Sequence, residues 1–290
     1  MRVLILGATG MLGYSLFANL REVEGLAVFG TVRNIKGKEQ FFQNCTSSLI
    51  QNTDVTKDAE LERAIELTTP DIVLNCIGLI KQHNISKQHV EAIEINALLP
   101  HKIASLCDKH SAKLVHFSTD CVFSGKSGSY TEESLADAID LYGKSKCLGE
   151  VDYEPHLTLR TSIIGHELNS TISLVDWFLS QKDEVKGFSK AIFSGLPTAY
   201  IAKLLVEKIL PISELSGLFH LSVEPIDKYS LLNLISDEYC KDIIIKKDSD
   251  FVIDRSLNSR KLTERLDYQI PSWPDLIGFM HKDYMKRYKA

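Results

Sequence analysis

Tyr142 and Lys146 stand four residues apart in the run Leu141–Cys147, LYGKSKC. On a helix that spacing puts them on one face. A phenol titrates near 10, and a neighbouring ammonium favours its phenolate. Such a pair can give or take a proton while an alcohol and a ketone interconvert. By itself the pattern also describes an ordinary solvated helix face. Its context adds weight. Lys113–Phe117 (KLVHF) reads as a buried strand, with Ser118, Thr119 and Asp120 at its carboxyl end. A hydroxyl there can hydrogen-bond a carbonyl oxygen and orient it. Chemistry of this kind also needs a hydride carrier, and the start of the chain offers a place for one.

In Met1–Gly13, MRVLILGATGMLG, the run Val3–Leu6 has the branched, apolar character of a strand buried on both faces. Gly7, Gly10 and Gly13 follow, and Met11–Leu20 opens an amphipathic helix. Strand, glycine turn and helix form the setting of a dinucleotide fingerprint. Gly7 allows the turn, Gly10 lets the backbone approach a pyrophosphate, and Gly13 lets the helix pack on the strand. Thr9, Met11 and Leu12 complete the turn that presents free N–H groups to the phosphates. The spacing is G-x-x-G-x-x-G, which in isolation fits an ordinary strand–helix turn as well.

Leu26–Val32 reads as the second strand, with Arg33 at its end and no carboxylate beside it. An arginine there reads the 2′-phosphate of NADP, whereas an acidic residue would bind the ribose of NAD; a solvated loop arginine is the plainer reading. Ser48–Gln51 is a third strand, followed by Asp54 and Val55. Asp54 is placed either against the adenine or as the cap of the helix Lys57–Leu67. Asp71–Cys76 (DIVLNC) is another buried strand, and Cys76, Ile77 and Gly78 at its carboxyl end face the ligand crevice of an open parallel sheet. Ser86–His110 is helical by period and carries Asn96. A buried amide there needs partners; it lines the cofactor site or ties its helix to a neighbouring strand. The next strand, Leu157–Arg160, ends in Arg160, Thr161 and Ser162.

Repeated strand–helix alternation predicts an α/β fold with a doubly wound parallel sheet. The first 165 residues form the dinucleotide-binding Rossmann-like domain. Residues 166–290 form a smaller mixed α/β lobe for substrate, from which later elements can return to the sheet. Its expected helices are Ser170–Gln181, Thr198–Leu210, Lys228–Tyr239 and Trp273–Arg287, with strand-like pieces at Leu218–Leu221 and Phe251–Ile253.

Bulk properties narrow the function classes. A net charge of −5 argues against a nucleic-acid footprint. No apolar run is long enough to span a membrane, and the first strand begins too early to leave room for a leader. The six cysteines form no C-x-x-C pair and the nine histidines no H-x-x-x-H. The expectation is therefore a cytoplasmic protein with reduced thiols and no metal site.

The chain resembles an extended short-chain dehydrogenase/reductase, and within that group the dTDP-4-dehydrorhamnose reductase family. The resemblance rests on the glycine turn, on Phe117–Phe123 (FSTDCVF), on Tyr142–Lys146 (YGKSK), on Leu159–Ser162 (LRTS) and on Arg255–Ser259 (RSLNS). It implies that Thr119, Tyr142 and Lys146 are catalytic, with Lys146 also holding the nicotinamide ribose. It implies NADP(H) as the preferred cofactor, with NAD(H) as the alternative, and a nucleotide-linked 4-keto-6-deoxy sugar reduced at C4 for surface polysaccharide. Thr119, Asp120, Arg160 and Arg255 would contact that substrate, Arg255 at the diphosphate; a surface pair with Asp254 or Asp250 is its plainer role. The implied partners are the sugar nucleotide and a second copy of the chain. Cys121 stands where the family has tyrosine and Ser256 where it has proline, and the loop before Tyr142 is one residue shorter. These departures leave the base and sugar open. Two alternatives stand beside the reductase. One is a non-catalytic NADP-binding regulatory subunit like the β subunit of methionine adenosyltransferase, which resembles the same family; the other is a nucleotide-sugar epimerase.

Overall fold

The computed structural model describes residues 1–79 and 89–289. Chain order begins β1 (Arg2–Leu6), α1 (Met11–Leu20), β2 (Ala27–Thr31), β3 (Leu49–Ile50), α2 (Asp58–Thr68) and β4 (Ile72–Asn75). Then come α3 (His89–Ala92), a π-helical stretch (Ile93–Leu98), α4 (Leu99–Lys109), β5 (Lys113–Thr119), α5 (Leu141–Leu148) and β6 (Leu157–Thr161). Next are β7 (Ile163–Ile164), α6 (Leu174–Ser180), β8 (Glu184–Phe193), β9 (Leu196–Pro197) and α7 (Thr198–Leu204), which continues as a second π-helical stretch (Leu205–Ile209). The chain closes with β10 (Gly217–His220), β11 (Ile226–Asp227), α8 (Lys228–Glu238), β12 (Ile244–Asp254), α9 (Arg260–Leu266) and α10 (Trp273–Arg287).

Seven strands form one sheet in the order β10-β6-β5-β4-β1-β2-β3, every neighbouring pair parallel. The alternation within β1 shows why the sheet is covered on both sides. Val3 and Ile5 enter one hydrophobic cluster with Leu16 and Phe17 of α1, Ile201 and Leu204 of α7, and Ile277 of α10. Leu4 and Leu6 enter a second with Leu61 and Ile65 of α2 and with Ile103 and Cys107 of α4. All four strand side chains are fully buried, each worth about 2 kcal/mol of transfer free energy. This is the doubly wound arrangement expected from the alternation.

Chain from beyond residue 165 builds part of that sheet. β10 pairs with β6 at one edge, and Tyr288, after α10, packs edge-on against Tyr14 of α1 at 5.4 Å. The rest of the second half holds a three-stranded sheet, β11-β8-β12, and β9, which pairs with β7 from the first half.

Several boundaries differ from the expectation for identifiable reasons. Ser86, Lys87 and Gln88 of the expected helix lie outside the described residues. α6 begins at Leu174 because the Glu167 carboxylate accepts bonds from Ser170 Oγ (2.5 Å) and from the N–H groups of Ile172 and Ser173 (both 3.0 Å), which winds that segment into a loop. α5 ends at Leu148, one residue past the run Leu141–Cys147. The piece Phe251–Ile253 is the end of the eleven-residue β12. Its partner β8 escaped the sequence reading because Gly187, Ser189 and Ala191 dilute its alternation.

Candidate active site

The crevice lies at the carboxyl ends of β1, β4, β5 and β6, where an open α/β sheet holds its ligands. Gly7 turns the chain at φ +85°. A β-carbon on Gly13 would stand 2.1 Å from the Gly7 carbonyl oxygen, so the start of α1 presses on the turn. A β-carbon on Gly10 would meet nothing closer than 3.6 Å, and Gly10 is exposed. No side chain caps the N-terminus of α1. The turn thus offers an open cradle and N–H donors, a fit for a pyrophosphate. Leu12 is buried and Met11 half-buried, so only their backbone N–H groups belong to that cradle. Thr9 lies in the turn, and its carbonyl accepts from Lys38 Nζ at 3.5 Å.

Arg33 is exposed at the end of β2, close enough to Asp54 to lower that carboxyl's pKa, although the Thr56 hydroxyl is the larger cause. The cap expected of Asp54 does not form. Its side chain bonds the Thr56 hydroxyl (2.8 Å) and N–H (3.2 Å), and the cap position of α2 is Lys57. Val55 belongs to the core. Cys76 continues β4 through an N–H bond to the Leu6 carbonyl, and Ile77 covers Gly7. Gly78 is exposed, and a β-carbon on it would stand 3.3 Å from Asn96 Oδ1 and 3.9 Å from Lys146 Nζ.

Asn96 is fully buried in the π-helical stretch. Its Oδ1 accepts from the Leu79 N–H (2.8 Å) and its Nδ2 donates to the Leu79 carbonyl (3.2 Å) and to Ser145 Oγ (3.3 Å). These bonds tie the loop after β4 to α5, a structural role of the kind expected of Asn96 beside a cofactor contact. Extra-residue turns of this kind recur at functional sites.

Thr119 ends β5 and Tyr142 opens α5, and the Thr119 side chain lies close enough to Tyr142 to act on its phenol. Asp140 caps α5 by accepting from the Gly143 N–H at 2.9 Å. Thr119 Oγ1 also donates to Asp120 Oδ1 (3.1 Å) and accepts from the Cys121 N–H (3.1 Å). Burial raises the Asp120 carboxyl pKa, against the pull of Arg255. Lys146, 4% exposed, donates from Nζ to the Phe117 carbonyl at 2.7 Å and lies 3.4 Å from His116 Nε2. Burial pushes its pKa down to about 8, only partly opposed by Glu150. The expected lowering of the Tyr142 phenol by Lys146 is overturned. Burial, the largest cause, raises that phenol above its ordinary value, and Lys146 is not among the largest influences on it.

The two arginines part company. Arg255 lies against the turn after β5, donating from Nε to the Phe123 carbonyl (2.9 Å), with Nη1 3.6 Å from Cys121 Sγ. Asp254 instead accepts from the Ser256 N–H. Arg160 is buried and forked onto Glu150 by two 2.8 Å bonds, with Nη1 3.4 Å from His220 Nε2 and its guanidinium over Phe123. Its expected contact with substrate is therefore corrected: the guanidinium is committed to the sheet.

Sequence reasoning missed His116 and Glu150. His116 and Ser118 sit two apart on β5 and so share one face, and Ser118 Oγ donates to Glu150 at 2.6 Å. Among the described residues, Glu62, Glu66 and His110 bring three metal-type ligand atoms within 4.8 Å, but the Lys109 ammonium already pairs with Glu62. No helix among the described residues is long and apolar enough to cross a membrane.

Glycine cradle, parallel sheet and a Thr–Tyr–Lys cluster at its carboxyl edge together define an NAD(P)-dependent oxidoreductase. The RmlD substrate binding domain family matches residues 1–245, and the chain belongs to it. A probable low-salt glycan biosynthesis reductase of Haloferax volcanii is 29% identical over 233 residues, spanning 77% of this chain and 74% of that protein. Methionine adenosyltransferase 2 subunit beta of Danio rerio is 25% identical over 253 residues, 82% and 74% of the two chains. The dTDP-4-dehydrorhamnose reductase of Bacillus anthracis, solved with NADP, superposes with a TM-score of 0.79 at 22% identity, covering 97% of this chain and 99% of that one. At that identity the superposition speaks for the fold alone.

Proposed function

We propose that this protein is an NADPH-dependent reductase of the C4 ketone of a nucleotide-linked 4-keto-6-deoxy sugar. One observation carries the reading: the Thr119 side chain stands beside the Tyr142 phenol, with Lys146 one helical turn on and the Arg255 guanidinium beside Cys121. Gly7, Gly10, Gly13 and the uncapped start of α1 would hold the pyrophosphate. Arg33 would read a 2′-phosphate, with Asp54 nearby for the adenosine end. The bound nicotinamide supplies the hydride that reaches the carbonyl carbon.

Thr119 orients the carbonyl oxygen by hydrogen bonding, and Tyr142 O–H gives its proton to the oxygen as negative charge develops there. A phenol raised by burial stays protonated at neutral pH, the state a reductase needs at the start of each turnover. Lys146 holds the ribose. Arg255 has its Nε fixed on a backbone carbonyl, so its fork is pre-oriented for a diphosphate. The Haloferax relative, named a glycan biosynthesis reductase, supports a product used in surface glycans.

A second reading, a non-catalytic dinucleotide-binding subunit, is favoured by the likeness to methionine adenosyltransferase 2 subunit beta. The deciding experiment follows NADPH absorbance with a panel of 4-keto-6-deoxy sugar nucleotides made in situ from dTDP-glucose and UDP-N-acetylglucosamine. Stoichiometric oxidation with one of them establishes the reductase and identifies base and sugar. Tight NADPH binding without oxidation by any of them favours the subunit reading. Conversion of the sugar without net NADPH loss means an epimerase.

A further inference from the structure

Beneath Lys146 lies a buried chain of hydrogen bonds whose direction can be worked out from its far end. Asn75, on β4, and His116, on β5, are register partners, and both are buried. The Ile77 backbone N–H lies 3.1 Å from Asn75 Oδ1. A backbone N–H can only donate, so this bond fixes which way the amide points. Asn75 Nδ2 then faces His116 Nδ1 at 3.1 Å. An amide NH₂ can only donate, so Nδ1 must offer its lone pair. A neutral imidazole with a bare Nδ1 carries its proton on Nε2, and Nε2 faces Lys146 Nζ at 3.4 Å. An ammonium has no lone pair, so two donors would face each other there; a neutral amine has one lone pair and accepts.

We propose that Asn75 and His116 form a tautomer-locked relay whose Nε2–H donates to Lys146, selecting the amine over the ammonium and making His116 a positioning residue for the reaction. This deepens the reductase reading and rests on it for its consequence. The amine accepts from His116, donates one N–H to the Phe117 carbonyl, and keeps its second N–H for a ligand. Above the Lys146 pKa of about 8 no cation stands beside Tyr142, which keeps the proton it must deliver.

The groups around Lys146 agree. From just beyond the end of its helix, Glu150 draws the proton back, but that carboxylate is forked onto Arg160 and accepts from Ser118. Tyr142 lies one turn earlier on the same helix. Cys76, from the turn after β4, is a thiol raised far above its ordinary range by burial. Burial, the largest cause, holds His116 neutral.

Asn75→Asp tests the relay with almost no change in shape. One carboxylate oxygen keeps the Ile77 N–H, and the other accepts a proton from His116 Nδ1, which reverses the lock. NMR of unliganded protein with isotope-labelled histidine and lysine reads both ends. In the natural protein, the His116 Nδ1 shift is that of a bare nitrogen and Nε2 that of a protonated one. In Asn75→Asp, Nδ1 becomes protonated, and the Lys146 ε-carbon titrates about one pH unit higher. The alkaline limb of kcat/KM moves the same way. A natural protein with Nδ1 protonated overturns the proposal, as does an Asn75→Asp variant with an unchanged Lys146 midpoint. If Asn75→Asp does not fold, the natural tautomer decides alone. Neither NMR reading needs a substrate, so a failure to find a reducible sugar nucleotide bears on the reductase reading and leaves the relay to be judged on its own.

Discussion

The Gly143 backbone lies hard against the Cys121 carbonyl: a β-carbon on Gly143 would stand 2.2 Å from that oxygen and 2.5 Å from the β-carbon of Ala138. This close approach seats α5 on the turn after β5, and so sets Tyr142 against Thr119. Gly143→Ala must push the helix outward. A displacement of about 1 Å at reacting groups costs on the order of 100-fold. We expect kcat to fall by about that factor while NADPH affinity changes little. Steady-state kinetics beside a fluorescence titration of NADPH checks this; an unchanged kcat would mean the contact does not position Tyr142.

Arg33 is exposed, and its charge reaches the Asp54 carboxylate. If it reads a 2′-phosphate, Arg33→Ala weakens NADPH by about 2 kcal/mol, roughly 30-fold, and NADH hardly at all. Calorimetric titration with both cofactors decides it, since equal losses would remove Arg33 from that role.

Burial holds the Lys146 pKa near 8, below an unfolded value of about 10.4. Between those values the unfolded chain binds more protons, so this group makes stability rise with pH. Below pH 8 the buried ammonium costs about 3 kcal/mol, and the cost fades as pH climbs towards 10. Lys146→Met should therefore exceed the natural protein in stability by most near pH 7, with the difference shrinking steadily above pH 8. Urea unfolding at several pH values measures it. A pH-independent difference would show that Lys146 is not titrating in the fold.

The Glu150–Arg160 pair has both side chains 7% exposed. Removing one partner strands a buried charge, at a cost of about 3–5 kcal/mol. Glu150→Leu should lose about that much stability, and the double change Glu150→Leu with Arg160→Met should recover most of it. Chemical unfolding of the three variants is the check. A double variant no more stable than Glu150→Leu would mean that Arg160 serves something other than this pair.

The parts legible in the sequence were those written in local spacing. The glycine turn, the strand runs and the i, i+4 pair Tyr142–Lys146 are each contained within a few residues, and each falls where expected. What depended on distant partners was not legible. Arg160 reads as a free cation at a strand end until Glu150 and His220 are brought to it from elsewhere in the chain. Asn96 reads equally as a ligand contact or as a tie to a neighbouring strand until Leu79 meets both ends of its amide. The sign of the effect on Tyr142 also went astray: spacing reveals that an ammonium is near in sequence, but only the packed structure shows that desolvation dominates. His116 could have been noticed from its shared strand face with Ser118, although nothing in the sequence says which of its nitrogens carries the proton.

The π-helical stretch at Ile93–Leu98 has a consequence for deletion. Such a turn is an α-helix holding one residue too many. Removing a residue between Ile93 and Asn96 would let the backbone relax into an unbroken α-helix, a better helix by every local measure. It would also turn Asn96 relative to the preceding helix by about 100°. The amide would then leave the Leu79 loop, and the Asn96 carbonyl would no longer meet Gly149, where α5 ends and where a β-carbon would stand 1.9 Å from that oxygen. At this point the chain gains regularity only by losing aim, so the shorter sequence should fold while its clamp comes undone.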